Sequence, residues 1–287
     1  MTMTPIGPWS YTWDGVPRPF VHPVRTPAGR VVSVDAPADH PWQHALWFTI
    51  KFVNGENFWE EYGEFGTLRQ RAAPEIREQP DGSVAGESRI DWVRPDGETV
   101  VATEELVLTH RPVPDQPDAL VLDWDVRFTP AVDVELDRTP YTTWGGYGGL
   151  TLRGRPDWHD TRLRLATSGD EHEQVLGDRA RWCAIDGPVA DADGDHDVGV
   201  VVLDHPANPG HPVPWYASTR QPAYDLDGWT NFVNAAFLWD GPMPVGAGQE
   251  LRLRYRFVVH DGRWEQDRIE ATAAAWTDWC ESGAADR

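Results

Sequence analysis

The sequence predicts an all-β protein, an antiparallel β-sandwich closed by a single C-terminal helix. Three observations carry that expectation. Short runs of alternating polar and apolar residues recur along the 287 residues, with Gly, Pro, Asn and Asp between them. Helical periodicity is confined to the last stretch. No repeat of fixed period and no change of composition divides the chain, so residues 1–287 read as one sandwich domain.

Residues 1–29 are rich in Pro and Gly and read as an irregular lead-in. A short strand is expected over 30–34, then a mostly apolar one over 45–53, the kind buried on both faces. Asn54-Gly55 follows as a hairpin signal, because both residues tolerate the positive φ of a two-residue turn. Residues 83–93 and 99–109 flank Pro95-Asp96-Gly97 and read as a second hairpin. Over 119–128, Leu120, Leu122, Trp124, Val126 and Phe128 fall on one face. Residues 161–165 and 251–257 alternate with arginine on the wet side. Gly145–Gly149 has the glycines of a phosphate loop without its lysine or following helix, and reads as a bulge or tight corner. Residues 191–197 have the alternating acids of a calcium loop without its closing glutamate, and read as an acidic hairpin tip. Beyond Asp261-Gly262, Ile269, Thr272, Trp276 and Trp279 share a helical face, which predicts a helix over 263–281 packed on a sheet edge.

Lys+Arg number 25 against 46 Asp+Glu, a formal charge of −21. Phosphate binding needs a basic face, so nucleic acid and anionic membrane are not expected partners. The acidity reads as a solvated surface. The N-terminus lacks the basic start and apolar run of a signal peptide, and no run is long enough to cross a bilayer, which predicts a cytoplasmic protein. Cys183 and Cys280 match no metal spacing and are expected as free thiols. Lys51 is the single lysine, hence the one candidate for Schiff-base chemistry, and reads as an ordinary strand residue. The 16 tryptophans imply either a core rich in aromatics or ring faces on which a flat or pyranose ligand stacks.

Two stretches concentrate the chemistry: Asp39-His40-Pro41-Trp42-Gln43-His44-Ala45-Leu46-Trp47 and, far down the chain, Asp204-His205-Pro206-Ala207-Asn208-Pro209-Gly210-His211-Pro212-Val213-Pro214-Trp215-Tyr216. Both open on Asp-His-Pro and carry a second His and a Trp a few residues later. Pro41 argues against a helix that would align His40 with His44, yet a loop can converge two imidazoles. The prolines of the second stretch make it a stiff loop. The expectation is that both loops face one cleft, with His40 or His44 within about 10 Å of His205 or His211. These four histidines are the candidates for proton transfer, since imidazole titrates near working pH. His22, Arg25, Trp47, Asp204, Asn208, Trp215 and Tyr216 are the candidates to hold a substrate, by hydrogen bonds around a sugar rim and stacking on its C–H face. The alternative is two unrelated turns, each histidine bonded to a nearby carbonyl.

Five ordered segments carry a resemblance: Arg18 to Gly29, Asp39 to Trp47, Val53-Asn54-Gly55-Glu56-Asn57-Phe58-Trp59, Asp204 to Tyr216, and Arg254 to Gly262. Together they resemble the bacterial family labelled methane oxygenase PmoA-like, over most of the chain. The resemblance implies a β-sandwich of the galactose-mutarotase kind, a supersandwich. It also implies carbohydrate metabolism, because the family's genes tend to lie among sugar oxidoreductases and transporters. His40, Asp204, His205, Asn208, His211 and Trp215 fit the family pattern. The chain departs from it at Trp42-Gln43, where members carry His-His or Trp-His, and at His44-Ala45, where Arg-Gly or His-Gly is common. Gln43 cannot take up a proton.

The preferred functional expectation is an enzyme acting on a sugar or oxidised sugar by histidine-mediated proton transfer, as in epimerisation, elimination or glycoside cleavage. A non-catalytic carbohydrate-binding or sensing protein is the second reading. The third is a divalent metal held by His40, His44 and one of His205 or His211, with Glu60 as a further ligand. The partner in every case is a small carbohydrate-like molecule, and a homo-oligomer is compatible with all three.

Overall fold

The computed structural model describes residues 1–113, 115–139, 146–220 and 231–282. Two large antiparallel sheets stack face to face. The first has eight strands, in the order Thr2–Ile6, Trp9–Asp14, Phe20–Val21, Leu46–Ile50, Gly148–Arg153, Phe232–Ala235, Pro214–Ser218 and Gln174–Arg179. The second runs Ser168–His172, Arg162–Leu165, Trp182–Asp191, Gly194–Asp204, Leu251–Asp261, Ala119–Pro130, Val100–Arg111, Val84–Val93 and Thr67–Gln70, with Glu75–Glu78 also paired to Val84–Val93. A small third sheet joins Met243–Val245, Val134–Asp137, Phe52–Val53 and Glu56–Asn57.

The core follows from period-two alternation, which sends every second side chain between the sheets. Leu46, Phe48, Ile50, Leu150, Leu152, Val233 and Ala235 of the first sheet share one cluster with Leu122, Trp124, Val126, Phe128, Val200, Val202, Tyr255 and Phe257 of the second. The terminal helix Gln266–Glu281 covers the opposite face of the second sheet. Its Ile269, Ala273, Trp276 and Cys280 meet Trp182, Val201, Leu203 and Val258. The helix therefore lies on a sheet face and not on an edge. Its buried stripe runs through Ala273 and Cys280, where Thr272 and Trp279 were expected, because small residues allow the closer approach. Cys183 and Cys280 are buried and are not joined by a disulfide.

The two hairpins form as expected. Asn54-Gly55 adopts φ of 52° and 77° and pairs Phe52–Val53 with Glu56–Asn57. Val84–Val93 pairs with Val100–Arg111 around the turn at Gly97. The acidic tip closes the hairpin of Trp182–Asp191 and Gly194–Asp204. Of the glycine run, Gly145 lies outside the described residues. Gly149 sits where a Cβ would come within 2.3 Å of the Ala235 carbonyl oxygen, a close strand approach that requires glycine.

Three expectations need correction. The lead-in is not irregular: Thr2–Ile6, Trp9–Asp14 and Phe20–Val21 build one edge of the first sheet. Pro5 is tolerated there because an outermost strand need not donate on both sides. Residues 30–34 make only isolated bridges, Arg25 to Val31 and Ser33 to Gly154, instead of a ladder. The strand expected over 45–53 breaks at Lys51, after which Phe52–Val53 passes into the small sheet. No described helix is long and apolar enough to cross a membrane.

Candidate functional site

The first sheet turns its other face outward, and alternation loads that face with Trp47, Thr49, Thr151, Arg153, Phe232, Asn234 and Tyr216. Strand register aligns Trp47, Thr151, Asn234 and Tyr216 in a row across four strands. Asn234 Nδ2 donates to Thr151 Oγ1 at 2.7 Å, which settles the polar middle of the row. Around it Trp47, Trp59, Tyr216 and Phe232 form an aromatic cluster separate from the main core, with Trp42, Tyr147 and Trp239 packed against it. Trp59 stacks on Tyr147 with ring centroids 5.1 Å apart.

A charged constellation borders this floor, centred on His44. In a regular strand His44 would share the inward face with Leu46. Ala45 has φ of +50°, a left-handed conformation uncommon for a residue with a Cβ, and it breaks the pleat. The ring consequently lies outward, stacked on Phe20 at 4.9 Å. Its Nδ1 meets Asp35 Oδ1 at 2.7 Å and its Nε2 meets Glu61 Oε1 at 2.7 Å. Burial disfavours the charged ring, but the bonds to Asp35 and Glu61 outweigh it and raise the His44 pKa. Glu61 also faces Arg18 Nε at 3.3 Å. Arg18 is fully buried, donates from Nη1 to the Trp59 carbonyl at 2.6 Å, and is brought down to about 10 by burial against the pull of Glu61.

Lys51 lies close by. Its Nζ pairs with Glu60, and Asn57 Oδ1 is 3.5 Å away. Burial lowers Lys51 to about 8, helped by the Arg18 cation, while the touching Glu60 pulls the other way. A third group extends the constellation through the first Asp-His-Pro turn. Asp39 accepts from His40 Nδ1 at 2.8 Å and from Arg153 Nη2 at 2.5 Å, and Arg153 Nη1 donates to Gln43 Oε1 at 3.0 Å. Burial works to raise the Asp39 carboxyl, but His40 and Arg153 bring it to about 2. Gln43, the departure from the family pattern, thus serves as an acceptor for a buried guanidinium. Trp42 and Tyr62 meet edge to face at 5.2 Å, and Tyr62 is 62% exposed.

The second Asp-His-Pro stretch lies elsewhere. Gly194–Asp204 belongs to the second sheet and Pro214–Ser218 to the first, so the loop between them wraps an end of the sandwich. Asp204 is buried and accepts from Asn208 Nδ2 at 2.8 Å, His211 Nδ1 at 2.7 Å and the Val213 N–H at 2.8 Å. Asn208 also bonds both ways with the Arg254 backbone. His205 turns to the helix side and meets Trp276 edge to face at 5.5 Å. His44 and His205 therefore occupy opposite outer faces and share no cleft, while His211 stays with Asp204 at the end of the sandwich. The reason is topological, because the strand that launches the second loop lies in the other sheet. Trp215 points inward, into the main core, and donates to the Ala180 carbonyl at 2.7 Å, so it presents no face outside. His22 meets Ser33 Oγ at 3.0 Å, and exposed Arg25 bonds Gly29 O at 3.1 Å. Of the expected binding residues, Trp47 and Tyr216 reach the aromatic face together.

Among the described residues no three His, Cys, Asp or Glu side chains gather as metal ligands. The expected histidine set is divided between two faces, and both His44 nitrogens already meet carboxylates. Sequence reasoning missed Asp35, Glu61 and Arg153 as site residues, took Arg18 only as part of a motif, and read Lys51 as an ordinary strand residue. The one local signal was Trp59-Glu60-Glu61-Tyr62, two acids between two large aromatics just after a hairpin.

The profile of a family described as a family of unknown function, DUF6807, matches residues 8–274. That description carries no methane oxygenase assignment. No curated protein matches. Among solved structures, the chain is similar to a galactose mutarotase related enzyme from Lactobacillus acidophilus, at 7% identity and TM-score 0.43, over 92% of this chain and 99% of that one. It is also similar to a protein assigned as a kojibiose phosphorylase from the human microbiome, at 9% identity and TM-score 0.32. That match covers 82% of this chain and 26% of the other.

Proposed function

We propose that this chain, which belongs to the DUF6807 family of unknown function, is an enzyme that binds a sugar or oxidised sugar over the outer face of the first sheet and moves a proton through His44. The observation that carries the reading is His44 held between Asp35 and Glu61, next to buried Arg18 and at the rim of an aromatic floor. Two carboxylates favour the imidazolium, so the ring is ready to act as an acid toward a carbonyl or glycosidic oxygen. Glu61, bonded to the ring at Nε2, can take a proton from the substrate and pass it to His44, which restores the imidazolium. Arg18 and Lys51 offer positive charge to an oxygen that becomes negative in the transition state. Part-exposed Trp42 and Tyr147 and exposed Tyr62 suit the C–H face of a pyranose, backed by the buried Trp47 and Trp59.

The test is a mass-spectrometric screen of keto-sugars, uronic acids and glycosides with the parent chain and His44→Gln. The expected result is turnover of at least one compound, reduced at least about a hundredfold in the variant while the variant stays folded at the assay temperature. Because His44 and Lys51 are both engaged in ion pairs, a carbohydrate-binding protein without catalysis is the second reading. A ligand that raises the melting temperature without being consumed would decide for it.

A further inference from the structure

The outer face of the second sheet holds a groove of about 310 Å³, walled on one side by Trp276 and Trp279 of the helix. Its floor is a lattice of charges in which almost every carboxylate is matched. Arg252 grips Asp125 with two bonds, Nε to Oδ1 at 3.0 Å and Nη2 to Oδ2 at 2.7 Å. Asp123 accepts from Arg111 and from Arg256, each at 2.6 Å. Glu87 pairs with Arg77 at 3.1 Å and Glu105 with Arg89 at 3.1 Å.

Arg127 is the exception. Register sets it directly between Glu105, which turns to Arg89, and Arg252, a like charge already committed to Asp125. Among the described residues it has no carboxylate partner, and its Nε is buried without an acceptor. Like charges directly opposite on neighbouring strands cost stability, and within this part-exposed side chain the buried Nε without an acceptor adds to the cost. An oxyanion accepting from the accessible Nη atoms offsets the like-charge repulsion. The net charge of −21 repels anions at long range, so the groove must act by direct contact and not through the field of the whole molecule.

We infer that this groove is a second ligand site, distinct from the His44 face, that binds a small oxyanion on Arg127: a carboxylate or phosphate carried by a molecule of monosaccharide size. The volume suits such a ligand, and a planar fork is the donor geometry that carboxylate and phosphate oxygens match.

Sodium phosphate, sodium gluconate and neutral glucose should be titrated separately at constant ionic strength with chloride as balance, following the melting temperature. At least one of the two anions should raise it in a saturable way, glucose should not, and the effective anion identifies the headgroup. Arg127→Gln should weaken that anion at least about tenfold, the loss of one charge-assisted bond. Without anion it should melt no lower than the parent, since a like-charge neighbour is gone. Arg127→Lys should fall between the two. No saturable response to either anion, or an equal response in Arg127→Gln, overturns the proposal.

Discussion

Asp39 and Asp204 each open an Asp-His-Pro turn, and each accepts a hydrogen bond from a histidine of its own loop, His40 in one case and His211 in the other. Their remaining partners differ. Asp39 reaches out of its loop to Arg153, on the outward face of a strand, and so ties a turn to a charged surface. Asp204 turns back on its own loop, holding Asn208 and the Val213 N–H, and its side chain is sealed from solvent. The first turn leads into a strand of the first sheet, beside the His44 constellation. The second bridges the two sheets and uses the same residues to keep a crossing segment folded. One tripeptide serves a candidate site or a structural latch according to which sheet its strand belongs to.

The sharpest way to break this comparison is to remove each carboxylate. Asp204→Ala should destabilise the protein by about 3 kcal/mol or more, because the buried Val213 N–H and the His211 ring lose their acceptor together and the Asn208 amide loses one of two. Asp39→Ala should cost less, about 1–2 kcal/mol, because Arg153, although buried, retains Gln43 Oε1 as an acceptor and His40 is partly exposed. Urea unfolding of both variants checks the order, and equal losses would erase the distinction between latch and surface tie.

A subtler effect concerns His44. Its folded pKa is raised above its ordinary 6.5, so its contribution to stability is fully present below about 6.5 and is lost as pH rises through the folded value. The stability difference between the parent and His44→Gln should therefore shrink as pH rises from 6 to about 9. A difference independent of pH would mean that Asp35 and Glu61 hold a neutral ring. The smallest effect is expected at His205. His205→Gln loses an edge-to-face contact with Trp276 and should cost about 1 kcal/mol. Turnover at the His44 face should not change, whereas a loss matching that of His44→Gln would reunite the two loops functionally.

Much of the sandwich was legible because strand alternation and turn chemistry are local. Leu122, Trp124, Val126 and Phe128 announce an inward face without reference to the rest of the chain, and Asn54-Gly55 announces its own turn. The candidate site was legible only in pieces. His44, Trp47 and Tyr216 stood out by residue type and neighbourhood. Asp35, Glu61, Arg18 and Arg153 did not, since a lone acid or arginine on a loop or strand looks like any solvated charge.

Two decisions belonged to the tertiary structure. One is the left-handed turn at Ala45, which sends His44 outward although alternation would send it inward. The other is the assignment of Gly194–Asp204 to the second sheet, which separates the two Asp-His-Pro turns. Periodicity states that a strand has two faces but not which sheet it joins or which face meets solvent. Those choices come from burying one continuous core between sheets built from distant segments, and no short window of sequence contains the competing arrangements.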